Sequence, residues 1–122
     1  MIKVPYARIE PYASIAAKDR VSVGNTQNTE WFIWFDQVKE PPFCALMKTT
    51  KGYRIKGVWV PAKLRGNGVG KEMTLALMNY AANDLMASRI EVFAYNPKFY
   101  EIHGYKRFGK LPNGAIKLEK LL

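Results

Sequence analysis

The sequence predicts a mixed α/β (α+β) fold, in which strands and helices pack as layers around one core. Three observations point there. Three strand-like segments lie between residues 31 and 60, and the breaks between them are too short for crossover helices. A broadly apolar helical period then covers 68–88. Beyond it come an alternating strand, a short helix and a closing hairpin. The chain has 122 residues, 48% hydrophobic and 24% charged. That is enough apolar material for a single domain over 1–122 with a buried core.

Ile2 to Ile9 reads as a short strand weakened by Pro5, and Pro11 opens a short helix that runs to Lys18. Gly24 to Thr29 is a polar turn segment. Trp31-Phe32-Ile33-Trp34-Phe35 is all aromatic or β-branched, which suits a strand buried on both faces. Pro41-Pro42 breaks it. Phe43 to Met47 and Tyr53 to Val60 follow as strands around the turn Thr50-Lys51-Gly52, so the three form an antiparallel meander. Gly57, inside the third, marks a bulge or the close approach of another backbone or a ligand, or is simply tolerated.

The helix over 68–88 carries Val69, Met73, Ala76, Leu77 and Tyr80 on one side. Leu75, Met78, Ala82, Leu85 and Met86 lie on much of the other. Only Glu72, Asn79 and Asn83 form a polar strip, so the helix should pack hard on a sheet. Arg89 to Tyr95 alternates as a strand. Pro97 opens a helix over Lys98 to His103, capped by Gly104. Tyr105 to Phe108 and Ala115 to Leu118 form a hairpin around Leu111-Pro112-Asn113-Gly114.

Composition excludes several chemistries. Cys44 and His103 are the only residues of their types, so no intrachain disulfide forms, no cysteine metal cluster exists and no metal is expected. No apolar run approaches the roughly 18 residues of a membrane helix, and Met1 to Glu10 lacks a signal-peptide core. A cytoplasmic monomer or homodimer without a membrane partner is the default expectation. The net charge is +9. Between Pro41 and Lys71 there are seven bases and no acid; between Ile102 and Leu118, Lys106, Arg107, Lys110 and Lys117 again stand without acids. Such stretches are a solvated basic surface or meet a polyanion, either a phosphorylated cofactor or a nucleic acid.

The most informative stretch is Val58 to Lys71, VWVPAKLRGNGVGK, where a strand runs through a glycine loop into the long helix. Helix N-terminal N–H groups lack internal partners and carry the positive end of the dipole, and glycines let an anion reach the backbone. The dinucleotide spacing G-x-G-x-x-G fails, because Gly66, Gly68 and Gly70 are spaced G-x-G-x-G. The P-loop fails too, with Arg65 at its first glycine position and Glu72 after Lys71.

Arg65-Gly66-Asn67-Gly68-Val69-Gly70 resembles the [Q/R]-x-x-G-x-[G/A] loop of the GNAT N-acetyltransferases. Phe99-Tyr100-Glu101-Ile102-His103-Gly104-Tyr105 is similar to that family's F-Y-x-x-x-G-[F/Y] segment, one helix and one strand later. The resemblance covers roughly residues 32–118. It implies a GNAT-like fold: a central, mostly antiparallel sheet with one splayed strand pair, a long helix after the glycine loop, a short helix and a C-terminal hairpin. It also implies an acyltransferase that moves an acetyl group from acetyl-CoA to an amine by direct attack in a ternary complex. Val58, Trp59 and Val60 would offer backbone to the pantetheine arm, and Arg65, Gly66, Asn67, Gly68, Val69, Gly70 and Lys71 would cradle the pyrophosphate. Tyr100 would protonate the departing thiolate.

Two departures from the family pattern stand out. Asn96, the match to a CoA-contacting asparagine, precedes Tyr100 by four positions where the family has seven. The central strand has no glutamate to act as general base, which leaves Glu91, Asp36, Glu30 or a water chain. The short N-terminus suggests an open acceptor groove suited to a bulky or macromolecular amine. Protein amines, small amines and nucleic acids all stay open as acceptors. Outside acyl transfer, the alternatives are a basic nucleic-acid-binding module without enzymatic activity and a family member that binds CoA without turnover.

Overall fold

The computed structural model describes residues 1–122. Its strands are β1 (Ile2–Val4), β2 (Thr29–Ile33), β3 (Phe43–Thr49), β4 (Gly52–Trp59), β5 (Arg89–Ala94), β6 (Lys106–Lys110) and β7 (Ile116–Leu121). The helices are α1 (Ala13–Lys18), α2 (Val69–Asn79) and α3 (Lys98–Ile102). All seven strands form one sheet in the order β1-β2-β3-β4-β5-β7-β6, antiparallel except for β4 against β5. The predicted meander is β2-β3-β4. The crossover through α2 makes β5 parallel to β4, as the length of that connection demands.

Strand parity sorts the side chains into two cores. On one face Phe32, Cys44, Leu46, Ile55, Ile90, Val92 and Leu118 pack under Met73, Leu77, Met78 and Ala81 of α2 and its extension. On the other, Trp31, Ile33, Phe43, Ala45 and Trp59 pack under Ile9 and Ala16 of the N-terminal segment. Trp31, Phe32 and Ile33 are all buried, so β2 is covered on both sides. No helix is long and apolar enough to cross a membrane.

Several boundaries differ from expectation. The first strand stops at Val4, because Pro5 leads into two single 3-10 turns, Tyr6–Arg8 and Glu10–Tyr12, ahead of α1. The long helix does not reach Ser88. It widens into a π turn over Tyr80–Asp84, where Leu85 N donates to Tyr80 O at 3.1 Å. Ala87 N then reaches back to Ala81 O at 2.8 Å around Met86 in the left-handed region (φ 53). That closure turns Met86 out to solvent at 80% exposure instead of onto the predicted apolar side. Gly104 caps α3 as expected: it has φ 89, and Tyr105 N donates to Tyr100 O across it at 3.0 Å.

Candidate acyl-transfer site

The site begins at Gly57. The β3–β4 register steps from Ala45↔Lys56 to Phe43↔Trp59, so β4 carries one extra residue there. Gly57 holds φ 59, and a Cβ built on it would lie 2.9 Å from the Trp31 indole. Only glycine fits both the backbone and the packing. Beside this bulge β4 leaves β5. Their ladder runs Tyr53↔Ile90, Arg54↔Glu91 and Ile55↔Val92 and then ends, although β4 continues to Trp59 and β5 to Ala94. The expected splayed pair is therefore present, and the β5 side of residues 56–59 has no strand partner.

Two hollows lie along this splay. A cavity of about 610 Å³ is lined by Lys56 to Val58 of β4, Val92 to Tyr95 at the end of β5, Tyr100 of α3, and Arg20 to Ser22. A smaller one of about 330 Å³ is bounded by Val58, Trp59, Val60, Arg65, Asp19 and Val21. Val21 and Val58 line both, so the two hollows adjoin.

At the loop, Gly66 (φ 84) and Gly68 (φ 78) take left-handed conformations and are exposed with open space around them. Gly68 is the N-cap of α2, no side chain caps the helix, and its first internal bond is Glu72 N to Gly68 O at 3.0 Å. The N–H groups of Val69, Gly70 and Lys71 therefore face out without helical acceptors. Asn67 and Lys71 are exposed beside them. Arg65 is oriented by two bonds, Nε to Val60 O at 2.8 Å and Nη2 to Asp19 Oδ2 at 2.6 Å. Trp59 Nε1 donates to the same Asp19 oxygen at 2.9 Å. The Trp59 bond first, and Arg65 second, hold the Asp19 carboxyl below its usual range. Trp59 therefore offers only backbone to the splay, since its indole is buried in the second core.

At the other end, Tyr100 lies edge-on to Phe99 and Tyr105, with centroids 5.2 and 5.3 Å away. Burial raises its phenol above the ordinary value, and the Thr74 hydroxyl nearby acts in the opposite sense. Thr74 is itself 2% exposed and bonds to Gly70 O at 2.9 Å. The first turn of α2 thus touches both the glycine loop and the tyrosine. The sequence reading missed Thr74, Asp19 and Arg20. The one available signal was a lone threonine in an apolar helix, one turn after Gly70.

Glu91, expected as a general base, is not brought to the cavity. It accepts from Arg54 Nε at 2.7 Å and Arg89 Nη1 at 2.6 Å, and Arg89 also bonds Glu119 at 2.7 Å. Burial alone would raise its carboxyl, but the two arginines outweigh it and hold the group below the usual glutamate value. A base needs the opposite shift. The other two candidate acids lie elsewhere: Glu30 is held by Lys3 at 2.8 Å and by the Tyr80 hydroxyl, and Asp36 is exposed in a loop. Asn96 is exposed past β5 and lines neither hollow.

Cys44 is buried in the α2-side core, with its thiol pushed up to about 12 by desolvation, while His103 bonds Phe99 O at the end of α3. They form no nucleophilic pair. The second basic stretch is divided: Arg107 pairs with Glu101 at 3.0 Å, and Lys117 lies over the Phe93 and Phe108 rings. Lys106, Arg107 and Lys110 lie on β6, an exposed sheet edge, where basic side chains deter pairing with other strands.

No family sequence model matches the chain, and no curated protein sequence does. Solved structures do match, and they define the fold: it is that of the GNAT acetyltransferases. Rv2747 of Mycobacterium tuberculosis, solved in complex with CoA, superposes with a TM-score of 0.72 at 14% identity, covering 98% of this chain and 96% of that one. A variant of the spermidine N-acetyltransferase SpeG of Vibrio cholerae gives 0.75 at 12% identity, covering 98% and 91%. An aminoglycoside 6'-N-acetyltransferase complexed with coenzyme A gives 0.64 at 19% identity, covering 79% and 74%.

Proposed function

We propose that this chain is an acetyl-CoA-dependent N-acetyltransferase, and that the splay between β4 and β5 is its donor channel. One observation carries the reading. A gap without strand partners runs from an uncapped helix N-terminus behind Arg65 to a half-buried, protonated tyrosine. Pantetheine is an extended chain with amide groups, and it fits an unpaired strand edge in the way a peptide adds to a sheet. The backbone of Val58, Trp59 and Val60 would receive it, with the Val60 N–H near the thioester carbonyl. The Arg65–Lys71 loop would take the pyrophosphate. The Arg65 guanidinium, which already makes a charge-assisted bond to Asp19, would share it with the phosphates.

The chemistry needs one nucleophile and one proton donor. A neutral amine forms the N–C bond to the thioester carbonyl, the C–S bond breaks, and the thiolate takes the Tyr100 phenolic proton. The new amide nitrogen loses its proton to water, which re-protonates the tyrosine. Net, amine and acetyl-CoA give acetamide and CoA thiol. No acyl-enzyme is needed, in keeping with the inert Cys44. With Glu91 held by arginines, no carboxylate is assigned as base.

The short N-terminus points to an open acceptor groove, and the N-terminal segment supplies part of its wall. It folds back through its 3-10 turns, and Arg20 to Ser22 wall a cavity in the size range of small-molecule sites, roughly 300–1,000 Å³. A small amine is therefore favoured over a macromolecule. Two measurements test the proposal: stabilisation of the protein by acetyl-CoA, and thiol release in the presence of amines. If saturating acetyl-CoA leaves the melting temperature unchanged, the proposal fails.

A further inference from the structure

The charge of the cavity wall is one-sided. Arg20, Arg54 and Lys56 line it, and no aspartate or glutamate does. Arg54 is already engaged by Glu91. The other two have no carboxylate partner: Arg20 lies 5.1 Å from the Tyr95 ring centroid, and Lys56 meets the Thr26 hydroxyl at 3.1 Å and lies 5.9 Å from the Trp31 ring centroid. Both are some distance along the chain from the glycine-loop cations, and neither lines the smaller hollow beside Arg65.

Arg20 is also held there against its backbone preference. It follows α1 at φ 63, with Arg20 N on Ala17 O and Val21 N on Ala16 O, both at 3.0 Å. This is the helix-ending position that glycine normally fills. An arginine is disfavoured in that conformation relative to glycine, so a side-chain role there offsets a folding cost.

We infer that the acceptor is a small amine that also carries an anionic group, a carboxylate or a phosphate, held by Arg20 and Lys56 while its amine faces the thioester. The inference rests on the acyl-transfer reading above and names the substrate class of that site. Two electrostatic consequences support it. A polyamine would bring positive charge into a positive cavity and be repelled. An amine anchored through its anion would sit in a positive field, which favours its neutral, nucleophilic form. The wall then does part of the work of the absent carboxylate base. Burial, and then the Arg54 charge, lower the Lys56 ammonium below its ordinary value.

The test is a thiol-release assay with acetyl-CoA and matched amines: α-amino acids against their carboxamides, phosphoethanolamine against ethanolamine, and spermidine as polycation. The expected result is a kcat/KM at least about 10-fold higher for one anionic member than for its neutral partner, with spermidine lowest. Whichever pair shows the difference identifies carboxylate or phosphate. Arg20→Gly suits the left-handed backbone and should keep the fold. Arg20→Gly and Lys56→Gln should each raise KM for the anionic amine about 10-fold while KM for acetyl-CoA stays unchanged. Lys56→Glu should raise activity on spermidine. If acetyl-CoA stabilises the protein and neutral or polycationic amines are preferred, the acceptor assignment is overturned and acyl transfer stands. If acetyl-CoA neither stabilises the protein nor releases thiol with any amine, both are overturned.

Discussion

The two halves of β4 differ sharply. Before Gly57, residues 53–55 are zipped to β3 on one side and β5 on the other, and Arg54 is tied to Glu91. After it, Val58 and Trp59 keep β3 but have lost β5, and their neighbours are hollows. One strand is thus scaffold for half its length and lines two hollows for the rest. The difference teaches where polar chemistry is affordable. The Arg54–Glu91–Arg89–Glu119 cluster consumes its charges in holding three strands in register. Along the splay, the β5 side of residues 56–59 has no strand partner.

That contrast can be broken from either side. The largest effect should come from Tyr100→Phe at the splayed end. It should lower kcat by about 10²–10⁴-fold, equivalent to about 3–5 kcal/mol of barrier, with little change in KM for acetyl-CoA. Steady-state kinetics decides this, and unchanged kcat would remove Tyr100 as the acid.

In the zipped half, Glu91→Gln should cost about 3 kcal/mol of unfolding free energy, because it removes the carboxylate shared by Arg54 and Arg89 and leaves Arg89, only 11% exposed, with Glu119 alone. The effect should depend on pH. The folded-state value of Glu91 lies below the unfolded one, so its stabilisation is complete above about pH 4.3 and fades as acid protonates the folded carboxylate. Denaturant titrations of both proteins between neutral and acid pH should converge at the acid end. A large loss of acetyl transfer with no loss of stability would instead return Glu91 to the catalytic site.

Gly57→Ala tests the boundary itself. Forcing a Cβ onto a left-handed residue against Trp31 should cost about 2 kcal/mol. It should also weaken CoA binding, because the splay starts there. Smallest is Arg65→Ala. It should weaken CoA by about 1 kcal/mol, a five-fold rise in Kd, and much less for a truncated donor lacking the phosphates. An equal loss for both donors would move Arg65 away from the pyrophosphate.

The zipped half was far more legible in the sequence than the splayed one. Alternation placed Arg89 to Tyr95 as a strand, and the aromatic run placed β2, because parity and side-chain type are local signals. The glycine loop and Tyr100 were legible through their motifs. What local pattern does not carry is the partner of a polar residue. Alternation put Arg89 and Glu91 on one face but was silent about Arg54 and Glu119, which lie beside them only once β4 and β7 pair with β5. Asp19 reaches Trp59 and Arg65, some forty and more positions away, from a segment whose prolines and short 3-10 turns give no period. Thr74 meets Tyr100 only because α3 packs against the start of α2. The place of β7 between β5 and β6 was equally silent, since a hairpin can approach an edge with either strand.

The additional residue at Gly57 also works as a phase shift. Counting by twos from Ile55, which faces α2, would send Trp59 to the same face; instead Val58 and Val60 face α2, and Trp59 turns to the N-terminal side. The two stretches of β4 are therefore out of step by one side chain. Deleting the glycine would not merely straighten the strand. It would exchange the valines and the tryptophan between the two cores, take the indole from Asp19, and free Arg65 from the frame that aims it.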